Sequence, residues 1–316
     1  MIFIGFNAHN NKPEILHKIA CYADCKEIIV VGILISRIVK RTVLLFAIGL
    51  FINWFDHAIE GDLLCFGHLR IWAVMQRIAV CYGIVSLFAL FCNHKYTIPV
   101  VIGLLVIYTA ILVYGHGYAQ DASVNILAQV DLNLFGYDHV YHKSPVDPEG
   151  LVGTISSVAH VLLGFYCGML IRQKETVEQK VLALFGVGTV LVIGGYLLTY
   201  GLPLNKRIWS PSYVMMTCGL ASLLQAFLMY VIDIQKKSKW TTFFHIFGVN
   251  ALALYVSSEL LAILLGHLGV SEMVYNGIHA VISPLKWASL AYAFYFVLLN
   301  FAIGYVLYRK KIYIKL

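Results

Sequence analysis

Long runs of apolar residues separated by short polar patches dominate the chain from residue 39 onward. A helix crosses a hydrocarbon core in roughly 20 apolar residues, and eight stretches approach or reach that length: 39–55, 71–91, 96–114, 151–171, 181–200, 212–232, 242–265 and 287–308. The pattern predicts an all-α fold, a polytopic transmembrane helix bundle of about eight spans. The run "IIVVGILIS" (28–36) abuts Arg37, Lys40 and Arg41 and is too short to cross alone. It reads as an interfacial segment or the remnant of a longer helix, and counting it would make nine. Before it, "NAHNNKPEILHKIACYADCKE" (7–27) is polar and irregular, without the basic start and apolar core of a signal peptide. The expected organisation is an irregular N-terminal remnant at 1–36 and a single transmembrane domain at 37–316.

Composition sharpens this picture. Hydrophobic residues make up 60% of the chain, charged residues 12%, and mean hydropathy is +0.80, more apolar than a soluble domain of this size requires. The expected partner is a lipid bilayer. A formal charge of +7 would suit nucleic acid if it were clustered, but lysine and arginine fall on alternate connections. One set holds Arg37, Lys40, Arg41, Lys95, Arg172, Lys174, Lys180, Lys236, Lys237, Lys239, Arg309, Lys310, Lys311 and Lys315; the other holds Arg70, Lys143, Lys206, Arg207 and Lys286. This bias places the first set, with the C-terminus, on the cytoplasmic side by the positive-inside rule, and no nucleic-acid partner is implied. Several of the seven cysteines sit inside apolar runs, where they are small packing residues, and neither a disulfide nor a metal framework follows from their spacing.

Two connections on the opposite, outer side are long, 115–150 and 266–286. Long loops in compact proteins are usually functional or disordered, which directs the search for a substrate there. In "DPEG", Asp147 and Glu149 flank Pro148 at the start of the 151–171 run. They suit the first turn of a capped helix, or a general acid or base at a partly dry mouth. His160 lies deeper in the same run, where an ionisable group is a functional candidate or a satisfied packing residue. "LPLNKRIWSPS" (202–212) gathers Asn205, Lys206, Arg207 and Trp209. Such residues anchor a span at an interface, and they also supply the hydrogen bonds, charge and flat stacking face of a sugar or anion site. Gln76 and Arg77 fall inside the second run, Asn250 and Glu259 inside the seventh. Arg77 and Glu259 could form a buried pair, structural or lining a passage.

Five separated segments, "MQRIAVCY" (75–82), "DPEGLVGTISSVAHVLLGFYCG" (147–168), "PLNKRIWSPSYVMMTCGLA" (203–221), "FGVNALALYVSSE" (247–259) and "YVLYRKKIYIKL" (305–316), together resemble the heparan-α-glucosaminide N-acetyltransferase family and its bacterial relatives, in the same order. The resemblance covers residues 37–316. It implies a multi-span acyltransferase of a bacterial inner membrane that takes acetyl from cytoplasmic acetyl-CoA as co-substrate and delivers it to an amino sugar or glycan on the outer face. Under it, Arg37, Lys40, Arg41 and Lys95 become contacts for the phosphates of CoA, although the same side chains would snorkel to lipid head groups in any membrane protein. Asn205, Lys206 and Trp209 become acceptor-binding residues, and Gln76, Arg77, Asn250 and Glu259 line the passage.

The resemblance has one gap. The family's active histidine belongs to a His-Ala-x-Trp-x-Gly stretch upstream of a Phe-Ile-Met-Gly helix, and "IFIG" (2–5) matches only the end of that helix. "HAIEG" (57–61) has the first two letters but follows "RTVLLFAIGLFINWF" (41–55) and lacks the tryptophan, so it reads as a decoy. The resemblance therefore implies an N-terminally truncated chain of doubtful activity, with Asp147 and Glu149 as weak substitutes for the missing base. A transporter and a non-catalytic membrane scaffold are the alternatives carried forward, and a second copy of the chain, as a homo-oligomer, joins the expected partners.

Overall fold

A computed structural model describes residues 25–314, with side chains from Val30 onward. "IFIG" and the irregular segment up to residue 24 lie outside the described residues. Among the described residues the chain forms helices and turns and no strand. The helices are α1 (Cys25–Ile59), α2 (Val74–Phe91), α3 (Thr97–Tyr114), α4 (Ile126–Phe135), α5 (Thr154–Gln173), α6 (Val177–Leu198), α7 (Pro211–Met229), α8 (Thr242–Val249), α9 (Ala251–His267), α10 (Val270–Val281) and α11 (Leu285–Arg309). A π-helical turn, Tyr230–Ile234, extends α7.

Six single helices among the described residues, α2, α3, α5, α6, α7 with its extension, and α11, are long and apolar enough to cross a membrane, and the bent pair α8–α9 makes a seventh if it counts as one span. The protein is an integral, multi-pass membrane protein. These are six or seven of the expected eight or nine; the run 39–55 lies in α1, which is not among them. The run 242–265 is not one rod, because it turns by 74° at Asn250. The segments 28–36 and 39–55 are not separate, because α1 carries both in one 35-residue helix.

The described residues divide into two compact units, one of residues 25–49 and 70–236, the other of Leu50–Leu69 and residues 237–314. The core of the first unit joins α2, α3, α5 and α7 through Cys81, Val85, Val101, Val158, Leu162, Val214 and Cys218. Helices α6 and α7 pack backbone to backbone. A Cβ on Gly219 would lie 2.7 Å from the Val192 nitrogen and 2.8 Å from the Gly188 carbonyl, the close approach that small residues permit between membrane helices. Leu182 and Val190 on α6 and Ile102 and Val106 on α3 are exposed, as expected of faces that lipid covers. Caps follow local sequence: Ser210 accepts from the Tyr213 amide ahead of Pro211 at the first turn of α7, and Asn125 caps α4 by accepting from the Leu127 amide.

In the second unit, α8 stacks on α11 through Phe243 and Phe301, with ring centroids 4.8 Å apart. Asn250, 1% exposed, holds the backbone that follows α11: its Nδ2 donates to the Ile312 carbonyl at 2.9 Å and its Oδ1 accepts from the Ile314 amide at 2.9 Å. His267 at the end of α9 lies 3.0 Å from Asp56 on α1 and 3.9 Å from Glu60 in the turn that follows it.

Candidate functional site

The connection between α3 and α5 folds as a cap at one end of the first unit. Asn125 pins it, donating to the Gly117 and Ala119 carbonyls as well as capping α4. Tyr108, fully buried on α3, donates to the Ile208 carbonyl, which ties the segment before α7 to the same end. Inside the cap lies a cleft of about 370 Å³, whose lining includes Asp131 and Leu132 of α4, Tyr137, Tyr141, His142, Lys143, Ser144 and Asp147.

Asp147 and Glu149 do not cap a helix. α5 begins at Thr154 and has no acid in its first turn, so both precede it in a turn. There they converge on Arg70, whose Nη2 lies 2.6 Å from Asp147 Oδ1 and 2.9 Å from Glu149 Oε2. The Arg70 guanidinium also sits 4.7 Å from the Tyr141 ring centroid, a cation–π contact. Asp147 accepts in addition from the Glu149 amide at 2.9 Å and the Tyr141 amide at 3.3 Å. The acids are thus members of an ion-paired clamp that shapes one wall of the cleft.

Asp131 closes the floor. Its Oδ1 accepts from the Leu151 amide at 2.9 Å, and the side chain presses so close to Gly150 that a Cβ there would lie 2.2 Å from Oδ2. Burial and the neighbouring Asp147 push its carboxyl up to about 6, against the opposing pull of the Leu151 amide, Arg77 and Arg70.

Behind the same turn, Arg77 on α2 is 5% exposed. Its Nη2 donates to the Gly150 carbonyl at 3.1 Å, and its guanidinium lies 5.1 Å from the Trp209 ring centroid. Trp209 holds a left-handed backbone, φ +55°, an uncommon conformation for a bulky residue and a mark of constraint at such a place. Its ring also meets His160 at 5.8 Å and Tyr213 at 5.3 Å, and its carbonyl accepts from Ser156 at 2.7 Å. His160 is seven residues into α5 counted from Thr154, and neither ring nitrogen has a protein partner.

The remaining expected residues fall as follows. Asn205 accepts from the Arg207 amide at 2.9 Å and belongs to its own turn, while Lys206 and Arg207 are exposed. Gln76 is fully buried against α1, where a Cβ on Gly49 would lie 2.6 Å from its Oε1. Arg37, Lys40, Arg41 and Lys95 are exposed, with Lys95 Nζ 5.0 Å from the Tyr96 ring centroid. Asn250 and half-buried Glu259 belong to the second unit, and Asn250 has both amide atoms committed to backbone. Arg70, Asp131 and Tyr141 are given no individual role by the sequence, although Asp131 lies in the long 115–150 connection to which it directs the search for a substrate. A signal existed for two of them: Arg70 is one of few basic residues in its set of connections, and Asp131 interrupts the apolar ten-residue helix "ILAQVDLNLF".

No family model matches the chain. The human protein named heparan-alpha-glucosaminide N-acetyltransferase is 28% identical over 213 residues, covering 59% of this chain and 29% of that protein. The mouse protein of the same name is 30% identical over 149 residues, covering 42% and 23%. The chain is a distant relative of heparan-alpha-glucosaminide N-acetyltransferase. It spans less than a third of the length of either transferase.

Proposed function

We propose that this chain forms the membrane domain of an acyltransferase that moves an acetyl group from acetyl-CoA to the amino group of an amino sugar. The observation that carries this reading is the cleft between α3 and α5. It combines tyrosine faces with carboxylates in one cap, the surface chemistry that holds a hydroxyl-rich ring bearing a cation. The distant transferase relatives supply the reaction class.

In this reading the cap is the acceptor side. Arg70 fixes Asp147 and Glu149, and with them the wall formed by Tyr141. Trp209 and Arg77 sit behind the same turn and hold its backbone in register. The basic residues Arg37, Lys40, Arg41 and Lys95 belong to the CoA side, where cations attract phosphates. In this reading that side is cytoplasmic and the acceptor lies outside a bacterial inner membrane, an orientation the charge bias supports.

The test is transfer of labelled acetyl from acetyl-CoA to glucosamine by the purified chain in proteoliposomes, alongside binding of each substrate. Transfer, or specific binding of both substrates, is expected. Absence of transfer together with absence of binding for either would overturn the reading.

The 74° break between α8 and α9 favours one alternative, solute transport, because interrupted helices line substrate sites in many transporters. Uptake of a labelled solute into vesicles without acyl transfer would select it.

A further inference from the structure

Three carboxylates and two guanidinium groups surround the turn at residues 147–151: Asp131, Asp147, Glu149, Arg70 and Arg77. They are not evenly matched. Arg70 binds both Asp147 and Glu149, and Arg77 directs its one hydrogen bond here at the Gly150 carbonyl and lays its face on Trp209. Asp131 is left with a single backbone donor, the Leu151 amide on Oδ1, while Oδ2 has no protein partner. The residue is 3% exposed and forms part of the cleft lining. The cluster therefore carries one carboxylate beyond its two guanidiniums, and that carboxylate is the one no guanidinium holds.

We propose that Asp131 is the proton acceptor of the cleft, receiving the proton that an acceptor ammonium must lose before it can react. This rests on the acyl-transfer reading above. The ammonium R–NH3+ gives one proton to the Asp131 carboxylate, leaving R–NH2 and a neutral carboxylic acid. The nitrogen lone pair then forms the N–C bond at the thioester carbonyl, the C–S bond breaks with its electron pair on sulfur, and a second nitrogen proton goes to that thiolate. The products are an amide and a thiol, and Asp131 returns its proton to water.

Two features fit the role. A carboxyl titrating near 6 is balanced between holding and releasing a proton close to neutral pH, where a general base is most effective. The groups facing it also leave the unpaired charge in place: Asp147 repels it, Arg70 and Arg77 attract it without bonding it, and His142 and Lys143 share the cleft lining. Gly150 is part of the device, since any Cβ there would occupy the position beside Oδ2.

The test compares glucosamine with N-acetylglucosamine, the same sugar without the cation, binding to the reconstituted chain between pH 5 and 7.5. Wild type is expected to prefer glucosamine, with the preference falling toward tenfold per pH unit below about 6. Asp131→Asn keeps an acceptor for the Leu151 amide and is expected to bind both sugars with no pH-dependent preference. A preference that survives in Asp131→Asn overturns the proposal and leaves the acyl-transfer reading intact; failure of wild type to bind either sugar overturns that reading instead. Infrared difference spectroscopy on wild type covers the case of an unstable variant. A buried carboxyl titrating near 6, whose protonation changes with glucosamine and not with N-acetylglucosamine, is expected, and its absence between pH 5 and 7 overturns the assignment.

Discussion

Replacing Arg70 by glutamine removes the cation that holds two acids at once. At 2.6 Å from Asp147 and an effective dielectric near 20, the gross attraction is about 6 kcal/mol, most of it offset by desolvation. Removing one partner of a buried pair costs roughly 3–5 kcal/mol, because the other charge is left buried. Asp147 is 5% exposed but Arg70 and Glu149 are 22% and 21% exposed, so water recovers part of that. A loss of about 2–3 kcal/mol is expected for Arg70→Gln. The assay is reversible unfolding in mixed micelles, run as a double-mutant cycle with Asp147→Asn. A coupling energy of at least ~1 kcal/mol is expected, since residues in one ion-pair network do not behave additively. A coupling near zero, with helix content intact in all variants, would refute the view that the clamp is a buried, cooperating unit.

Further outcomes follow from other contacts. Gly219→Val inserts atoms where a Cβ alone would already lie 2.7 Å from Val192 backbone; α6 and α7 must separate, and unfolding in micelles should show a loss of roughly 2 kcal/mol or more. Gly150→Ala drives a methyl group against Asp131 Oδ2 and should weaken glucosamine binding while Gly153→Ala, whose Cβ would lie 3.1 Å from the far end of Arg77, is tolerated better. Asn250→Ala removes both bonds to the backbone at Ile312 and Ile314 and should speed tryptic cleavage after Lys310 or Lys311, read by mass spectrometry. Asp131 binds a proton more tightly folded than unfolded, its carboxyl being raised from 3.8 to about 6. Its contribution is therefore present below about 4 and lost as pH rises to 6, at most ~1.4 kcal/mol per unit, and Asp131→Asn should flatten that slope in thermal melts across the same window.

The helical class was legible because length and hydropathy are local properties, and α2, α3, α5, α6, α7 and α11 follow the apolar runs closely. The break at Asn250 was not. The side chain at the break bonds to backbone more than sixty positions away, and no local pattern marks it. The site divides along the same line. Asp147, Glu149, Arg77 and Trp209 stood out as polar groups in apolar surroundings, and the fold gathers all four around one turn. What they do was hidden, because it depends on Arg70 reaching across 77 and 79 positions to the two acids. Asp131 was passed over for a similar reason: an acid in a loop looks solvated until the fold buries it.

The bend at Asn250 also gives the chain an order of assembly in time. The partners of that side chain, Ile312 and Ile314, lie 62 and 64 positions downstream. At roughly 5–20 residues per second of synthesis, Asn250 waits on the order of 3 to 13 s before they exist. During that interval α8 and α9 must be held by lipid, by the rest of the growing chain or by the insertion machinery, and the second unit closes only once the backbone after α11 has been made.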